Sequence, residues 1–164
     1  MITDIQTDKL CQAAVDIRKN CYAPYSHFRV GAALLTSGGK IYTGVNVENA
    51  AYGPSNCAER TAVFKAVSEG ETDFAAIAIA GGAEGSDLQY CPPCGVCRQV
   101  LAEFCGPDFE VILTDGKGEP RRFTLGELLP ESLRGLEGAH GVQMLAGRDN
   151  MDGFYICRMK RTKG

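Results

Sequence analysis

The sequence predicts a single α/β domain in three α-β-α layers, with helices on both faces of a mixed sheet of about five strands. First, helix and strand patterns alternate along the chain in the order α-β-β-α-β-α-β-α, which fits one mixed sheet covered by helices. Second, residues 74–80 (FAAIAIA) form a continuous apolar run, the pattern of a central strand buried on both faces. No repeat, linker or second core interrupts this organisation.

The elements of the first half follow from periodicity and turn signals. A helical stripe predicts a first helix with Thr7 as its N-cap, running to about residue 19. The Ser-Gly-Gly-Lys turn at 37–40 joins two strands as a hairpin. In chain order, the remaining predicted elements of this half are strands at 28–35 and 41–47, a loop at 52–56 and a helix at 57–68 that ends before Gly70.

The second half continues the alternation after the central strand. It is predicted to contain a polar loop at 81–90, a helix at 94–104, a strand at 110–113 and a turn at 115–118. Thr124 and Glu127 form a capping-box pattern for a short helix that Pro130 ends. Residues 135–164 contain six glycines, a strand signal at 154–158 and a basic end, and the patterns do not place them in the sheet.

Charge and hydropathy exclude several classes of protein. The 164 residues include 17 basic and 20 acidic side chains, for a formal net charge of -3. Polynucleotide-binding proteins normally carry a strong basic excess. No apolar run approaches the ~20 residues of a membrane span, and the first residues lack the pattern of a signal peptide. We therefore expect a cytoplasmic protein with no nucleic-acid or membrane partner.

Eight cysteines are the most unusual feature of the composition. Disulfide frameworks belong mainly to small secreted domains, whereas this chain is long enough to build a hydrophobic core. We therefore expect reduced thiols, some of them buried as small apolar residues and some free to bind metal.

Four of these cysteines lie at the starts of two predicted helices. Cys91, Cys94 and Cys97 form overlapping Cys-x-x-Cys pairs ahead of one helix, and Cys57 opens another, two residues before Glu59. A Cys-x-x-Cys turn can present two thiolates to one zinc ion. Because helix N-termini stabilise thiolates through unpaired N–H groups, two such ends facing each other would suit zinc.

The spacing alone leaves alternatives open. Cys91 could complete a closed four-cysteine site that only stabilises the fold, although the overlapping pairs would crowd one metal. With three ligands, zinc keeps a position for water, and a nearby carboxylate such as Glu59 can move protons. Taken alone, Glu59 would more often serve a capping box with Asn56 as N-cap; its place beside a zinc ligand reverses that preference. A redox Cys-x-x-Cys is disfavoured by the order of elements.

Four motifs occur in order and at compatible spacings: YSHFRVGAAL at 25–34, NVENA at 46–50, CAERTA at 57–62 and PCGVCRQ at 93–99. Together they resemble the zinc-dependent cytidine deaminase family, of the short-chain homotetrameric type, over roughly residues 8–134. The resemblance implies a cytidine deaminase-like fold with a catalytic domain at 1–134. Residues 135–164 would then be a C-terminal extension, packed on the same domain or on a neighbouring subunit.

The resemblance also implies a reaction. Cytidine and deoxycytidine would be hydrolysed to uridine and deoxyuridine with release of ammonia, a step of pyrimidine salvage. In this family a zinc-bound hydroxide attacks the ring and a glutamate carries the protons. The resemblance assigns one zinc per subunit to Cys57, Cys94 and Cys97, the proton transfers to Glu59, and hydrogen bonds to the ligand sulfurs to Arg60.

Substrate binding is assigned by the same resemblance. Asn46 and Glu48 match residues that bind the ribose hydroxyls, and Phe28 matches an aromatic that packs on the pyrimidine. The residues matched to the rest of the substrate site are Ala50, Tyr52 and Ala58, the first two being presented to a neighbouring subunit. The expected partners are therefore a small nucleoside and three further copies of the chain, with active sites shared between subunits.

Some features depart from the family pattern. Cys91 is additional, and could be a spare thiol, a competing ligand or an oxidation site. Phe154 and Tyr155 are the candidates for an aromatic side chain that completes a neighbouring subunit's site. The family motif contains no histidine ligand for zinc, so His27 and His140 are not expected to bind it. Two other functions remain open: a deaminase of a nucleoside-like antibiotic or modified cytidine, and a zinc-stabilised binding module without catalysis. A nucleic-acid-editing deaminase is disfavoured by the acidic balance.

Overall fold

Residues 2–129, the part of the chain that the computed structural model describes, form a mixed sheet with helices on both faces. In chain order the elements are α1 (Asp4–Ile17), β1 (Phe28–Thr36), β2 (Ile41–Val45), α2 (Ala58–Ser68), β3 (Phe74–Ala83), α3 (Gly95–Phe104), β4 (Glu110–Thr114), β5 (Arg121–Thr124) and α4 (Leu125–Leu128). The strands lie in the order β2-β1-β3-β4-β5. The pair β3 and β4 is parallel, and the other neighbours are antiparallel.

Each face of the sheet carries its own apolar core, because alternate residues of a strand point to opposite faces. The core under α1 comprises Leu10, Cys11, Ala14, Ala33, Leu35, Ala76, Ala78, Ala80 and Ile112. The core under α2 and α3 includes Ala32, Leu34, Ala62, Val63, Ile77, Ile79, Leu101 and Val111. The predicted three-layer α-β-α class with about five strands is therefore confirmed.

Two glycines let helices approach the sheet closely. A Cβ atom on Gly31 of β1 would lie 2.2 Å from the carbonyl oxygen of Ala14 in α1. A Cβ atom on Gly44 of β2 would lie 2.3 Å from the carbonyl oxygen of Ala58 and 2.4 Å from the backbone nitrogen of Ala62. Because these neighbours are backbone atoms, Gly44 fixes how near the first turns of α2 come to the sheet.

The first helix begins earlier than the sequence predicts, since Thr3 and not Thr7 is its N-cap. Thr3 and Gln6 form a capping box that satisfies the first-turn N–H groups. Thr7 is buried inside α1, where its hydroxyl donates to the Thr3 carbonyl oxygen at 3.1 Å. The prediction at Thr7 is wrong because this residue lies on the helix face that the sheet covers.

The edge strand β5 occupies residues for which the sequence predicts no element. Its four residues (RRFT) are exposed or partly exposed, so apolar alternation does not mark it. The buried carboxylate of Glu110 on β4 accepts a hydrogen bond from Arg122 at 2.7 Å and another from the backbone N–H of Ile2 at 3.0 Å. Ion pairing across the sheet therefore helps to hold this strand.

The other elements match their predictions, with shifts at their ends. β2 stops at Val45, before the predicted end at residue 47, and β3 continues to Ala83. The capping box of Thr124 and Glu127 is confirmed at the start of α4.

Several predictions concern residues outside the described range. They are the end of the last helix at Pro130, the extension at 135–164, the strand at 154–158, and the roles of His140, Phe154 and Tyr155. Within residues 2–129, no helix has the length and apolar character needed to cross a membrane.

The close approach at Gly44 makes a prediction. Gly44→Ala places a methyl group against the α2 backbone, which cannot move without displacing the helix, so we expect a loss of about 2–3 kcal/mol in unfolding free energy. Gly38→Ala is the control, because the nearest atom to its Cβ position lies 3.7 Å away. Urea denaturation of both variants measures the difference, and equal midpoints would contradict this packing.

Candidate metal centre and active site

Two helix N-termini carry the thiols of the candidate metal centre. Cys57 is the N-cap residue of α2 and Cys94 is the N-cap residue of α3, and both have extended backbone conformations. Cys97 follows in the first turn of α3. The unpaired N–H groups of a first helical turn favour negative charge beside them, so both helix ends suit thiolate ligands.

The three sulfur atoms have the spacing of a tetrahedral metal site. Sγ of Cys57 lies 3.8 Å from Sγ of Cys94, which lies 3.5 Å from Sγ of Cys97. All three lie within 4.8 Å of one another. Zinc–sulfur bonds of about 2.3 Å at tetrahedral angles separate sulfur atoms by about 3.8 Å. The donor set therefore fits one zinc ion and leaves its fourth position for water or substrate.

The thiols and a nearby guanidinium shape the electrostatics of this cluster. Hydrogen bonding with Cys57 and Cys97 lowers the pKa of the Cys94 thiol, while hydrogen bonding with Cys57 and Cys94 raises the pKa of the Cys97 thiol. Nη2 of Arg60 lies 3.6 Å from Sγ of Cys57 and donates to the carbonyl oxygen of Ser55 at 3.3 Å. Burial opposes its charge, but the sulfurs outweigh burial and raise the pKa of Arg60. A cation therefore lies beside the Cys57 thiol.

Cys91 does not belong to the three-sulfur cluster. Among the described residues, the group whose ligand atoms lie mutually close contains Cys57, Cys94 and Cys97 without it. Burial raises the pKa of the Cys91 thiol to about 11, so it stays protonated at neutral pH. It packs instead beside β3, where a Cβ atom on Gly81 would lie 2.6 Å from its own Cβ. This geometry disfavours the closed four-cysteine site.

Glu59 lies in the first turn of α2, beside the cluster. Glu59 is buried, with 5% of its surface exposed. Burial raises the pKa of its carboxyl group, and the nearby Cys94 adds to the effect. The alternative capping role is wrong, because Cys57 and not Asn56 is the N-cap residue. The Asn56 side chain donates to the Thr61 hydroxyl at 3.1 Å instead.

The predicted ribose-binding segment lies next to the thiols. Backbone hydrogen bonds of 2.9 Å in both directions join Val47 to Asn56, the residue before Cys57. Asn46 accepts a hydrogen bond from the Val30 N–H and donates one to the Phe28 carbonyl oxygen, both at 2.8 Å. An asparagine amide offers two donors and two acceptor lone pairs, so one of each remains available to a ligand.

Glu48 is held by a turn that the sequence analysis did not single out. The backbone N–H of Tyr25 donates to its carboxylate at 3.0 Å, that of Ser26 at 3.2 Å, and the Ser26 hydroxyl donates as well. The Ser26 hydroxyl is the main cause that lowers the pKa of Glu48. Ser26 therefore orients this carboxylate. The YSHF motif contains it, but spacing alone does not reveal the contact.

The remaining predicted site residues differ in exposure. Ala58 is fully buried at the start of α2, so its side chain belongs to the core. Phe28 is partly exposed at the start of β1, and Ala50 is exposed. Tyr52 is 79% exposed and adopts a positive φ of 51°. His27, which the sequence predicts to be no metal ligand, is exposed on the surface.

Three cysteine ligands beside a glutamate that is not itself a ligand are the arrangement of the zinc-dependent deaminases. The model of the family described as "Cytidine and deoxycytidylate deaminase zinc-binding region" matches residues 4–113. The chain therefore belongs to the cytidine deaminase family, which confirms the expectation of a zinc-dependent hydrolytic deaminase.

Individual relatives agree. The chain is 49% identical over 121 residues to a cytidine deaminase of Halalkalibacterium halodurans, covering 74% of this chain and 89% of that protein. It is 48% identical over 127 residues to a probable cytidine deaminase of Dictyostelium discoideum, covering 76% of this chain and 82% of that protein. The crystal structure of a cytidine deaminase from Burkholderia pseudomallei superposes with a TM-score of 0.70 at 47% identity, covering 80% of this chain and 99% of that one.

The cluster predicts which cysteine is needed for zinc. We expect the purified chain to hold about one zinc ion per chain. Cys97→Ser removes a buried sulfur of the cluster and should lower the zinc content at least tenfold, whereas Cys91→Ser should leave it unchanged. Zinc measured by atomic absorption after gel filtration checks this. A Cys91→Ser variant that loses zinc to the same extent would contradict the three-sulfur site.

Proposed function

We propose that this chain hydrolyses cytidine and deoxycytidine to uridine and deoxyuridine with release of ammonia. The single observation that carries the proposal is the cluster of three sulfurs at two helix N-termini with a buried carboxyl group in the same first turn. The cytidine deaminases that are 49% and 48% identical to it over the aligned residues support the choice of substrate.

The sulfurs of Cys57, Cys94 and Cys97 would hold one zinc ion per subunit. When bound, zinc activates water for attack on a carbon that carries an amino group. The guanidinium of Arg60, 3.6 Å from Sγ of Cys57, would offset part of the thiolate charge. Its Nε atom is buried without a hydrogen-bond partner among the described residues.

Glu59 would carry the protons of the reaction. Its carboxylate takes a proton from the attacking water and gives it to the ring nitrogen next to the reacting carbon. It then takes the remaining proton from the added hydroxyl and gives it to the amino group, which leaves as ammonia while the carbonyl forms. One water is therefore consumed for each ammonia released. Burial suits this role, because desolvation keeps the carboxyl group ready to hold a proton.

The nucleoside would be bound by the segments that flank the cluster. Asn46 has one donor and one acceptor to spare for a ribose hydroxyl, and Ser26 holds Glu48 in place to accept from another. Phe28 would pack on the pyrimidine. Because the Ala58 side chain is buried, its contribution to substrate binding would come from its backbone at the start of α2.

A free nucleoside suits the charge of the chain better than a polynucleotide. The formal net charge is -3, whereas binding of a phosphate backbone relies on many basic side chains. The seven cysteines of the described residues are all free, as expected in a reducing compartment. We therefore place the enzyme in cytoplasmic pyrimidine salvage, with residues 1–134 as its catalytic domain and 135–164 as a C-terminal extension.

We also propose a homotetramer with shared active sites. The region that carries Ala50 exposes four large apolar side chains: Tyr22, Tyr25, Val47 and Tyr52. Exposed apolar clusters commonly mark protein interfaces. A second chain covering this region would lie beside Asn46 and Glu48, and would then help to enclose the substrate.

The proton-carrying role predicts the effect of one substitution. Glu59→Gln keeps the size of the side chain but cannot exchange protons, so kcat for cytidine should fall at least about 10²-fold. The loss of pyrimidine absorbance measures turnover, and zinc content and circular dichroism should remain those of the wild type. Glu103→Gln, on the exposed face of α3, is the matched control and should be fully active. Unchanged turnover in Glu59→Gln would refute the role.

The shared-site proposal predicts the state of the active enzyme. Light scattering coupled to gel filtration should give the mass of four chains across the active fractions. Tyr52→Arg, which places a charge on the exposed cluster, should shift the mass downward and lower activity together. A stable monomer with full activity would contradict the proposal.

A further inference from the structure

One zinc ligand lies on a segment with little backbone support. Cys94 follows Pro92 and Pro93, neither of which has an N–H group to donate. Within the described residues, the last backbone N–H bond before this segment is Gln89 to the Gly81 carbonyl oxygen, at 2.9 Å. The next backbone-to-backbone bond runs from the Arg98 N–H to the Cys94 carbonyl oxygen at 3.0 Å, and the N–H groups of Val96 and Cys97 donate to the Cys94 sulfur. The segment therefore needs support from side chains.

The Arg98 side chain supplies that support. Its Nε donates to the carbonyl oxygen of Pro93 and its Nη1 donates to the carbonyl oxygen of Leu128, each at 2.7 Å. Both distances are short, as is usual for hydrogen bonds from a charged donor. Pro93 is fully buried, so its carbonyl group has little access to water. The guanidinium thus joins the peptide that precedes Cys94 to the end of α4.

We propose that Arg98 is a positioning residue for the metal centre, which holds Cys94 within reach of Cys57 and Cys97. The Pro93 carbonyl belongs to the peptide unit that ends at the Cys94 nitrogen, so fixing that oxygen fixes where the Cys94 side chain begins. A planar guanidinium presents its N–H groups in fixed, separate directions, which suits two carbonyl groups on different segments. A lysine at this position would offer a single compact ammonium and would hold the two carbonyl groups less firmly.

The chain contains a second arginine that holds two backbone carbonyl groups, neither of which belongs to the peptide beside Cys94. Arg18 also donates to two backbone carbonyl oxygens, those of Arg29 at 2.9 Å and Gly82 at 3.1 Å. It joins the end of α1 to β1 and β3. Replacing Arg18 therefore removes the same kind of hydrogen bonds without releasing the segment that carries Cys94.

The test measures zinc release without substrate. Zinc-loaded wild type, Arg98→Gln, Arg98→Lys and Arg18→Gln are mixed with a chromogenic chelator at a temperature where all are folded. We expect Arg98→Gln to release zinc at least tenfold faster than the wild type, as loss of groups that orient metal ligands does. Arg98→Lys should lie between them, and Arg18→Gln should stay within twofold of the wild type.

A second measurement separates positioning from general stability. In the cobalt-substituted proteins, the sulfur-to-cobalt charge-transfer bands of Arg98→Gln should differ from those of the wild type. The bands of Arg18→Gln should be the same as those of the wild type. Equal release rates and equal spectra for these two variants would overturn the proposal. If Arg98→Gln does not fold, Arg98→Lys decides: release at least threefold faster supports the proposal, and wild-type release overturns it.

This inference rests on the three-sulfur zinc site and not on the substrate. Wild-type protein that folds without holding zinc would refute the metal site itself. Wild-type protein that holds zinc but does not convert cytidine would refute the proposed reaction and leave the Arg98 result readable.

Discussion

The whole site depends on the meeting of two helix N-termini. The first turns of α2 and α3 face one another, and the sulfurs of Cys57, Cys94 and Cys97 lie within 4.8 Å of one another between them. Negative charge is favourable there because both helices direct unpaired N–H groups and positive dipole ends toward it. Since Glu59 belongs to the same turn as Cys57, the helix end that carries this thiol also places the carboxyl group that we propose as the proton carrier.

The sheet explains why these two ends meet. α2 ends a short loop before β3 begins, and α3 begins after β3 ends, before the parallel strand β4. One of these helices precedes β3 in the chain and the other follows it, and both run antiparallel to it. Their N-termini therefore lie at the same edge of the sheet. Gly44 sets how closely α2 approaches the sheet, and the backbone pairing of Val47 with Asn56 brings the segment proposed to bind ribose to that edge.

The sequence predicted the parts of this structure that depend on local patterns. The apolar run of β3 and the cysteines at helix starts are local, so the layers and a candidate thiol cluster could be inferred before the structure, whereas spacing alone left the part of Cys91 open. The parts that it did not predict depend on distant polar contacts: β5 is held by Arg122 on the buried Glu110, and Arg98 reaches Leu128 thirty residues away. The N-cap predicted at Thr7 from local propensity is wrong, because Thr7 is buried inside α1 and Thr3 caps the helix.

The most direct test of the account is cytidine turnover and zinc content measured on the same sample. The account predicts conversion of cytidine to uridine with one ammonia released per turnover, at a rate proportional to zinc bound. Chelation should remove the activity, and added zinc should restore it. A folded sample with zinc at its three-sulfur site that leaves both cytidine and deoxycytidine unchanged would contradict the account.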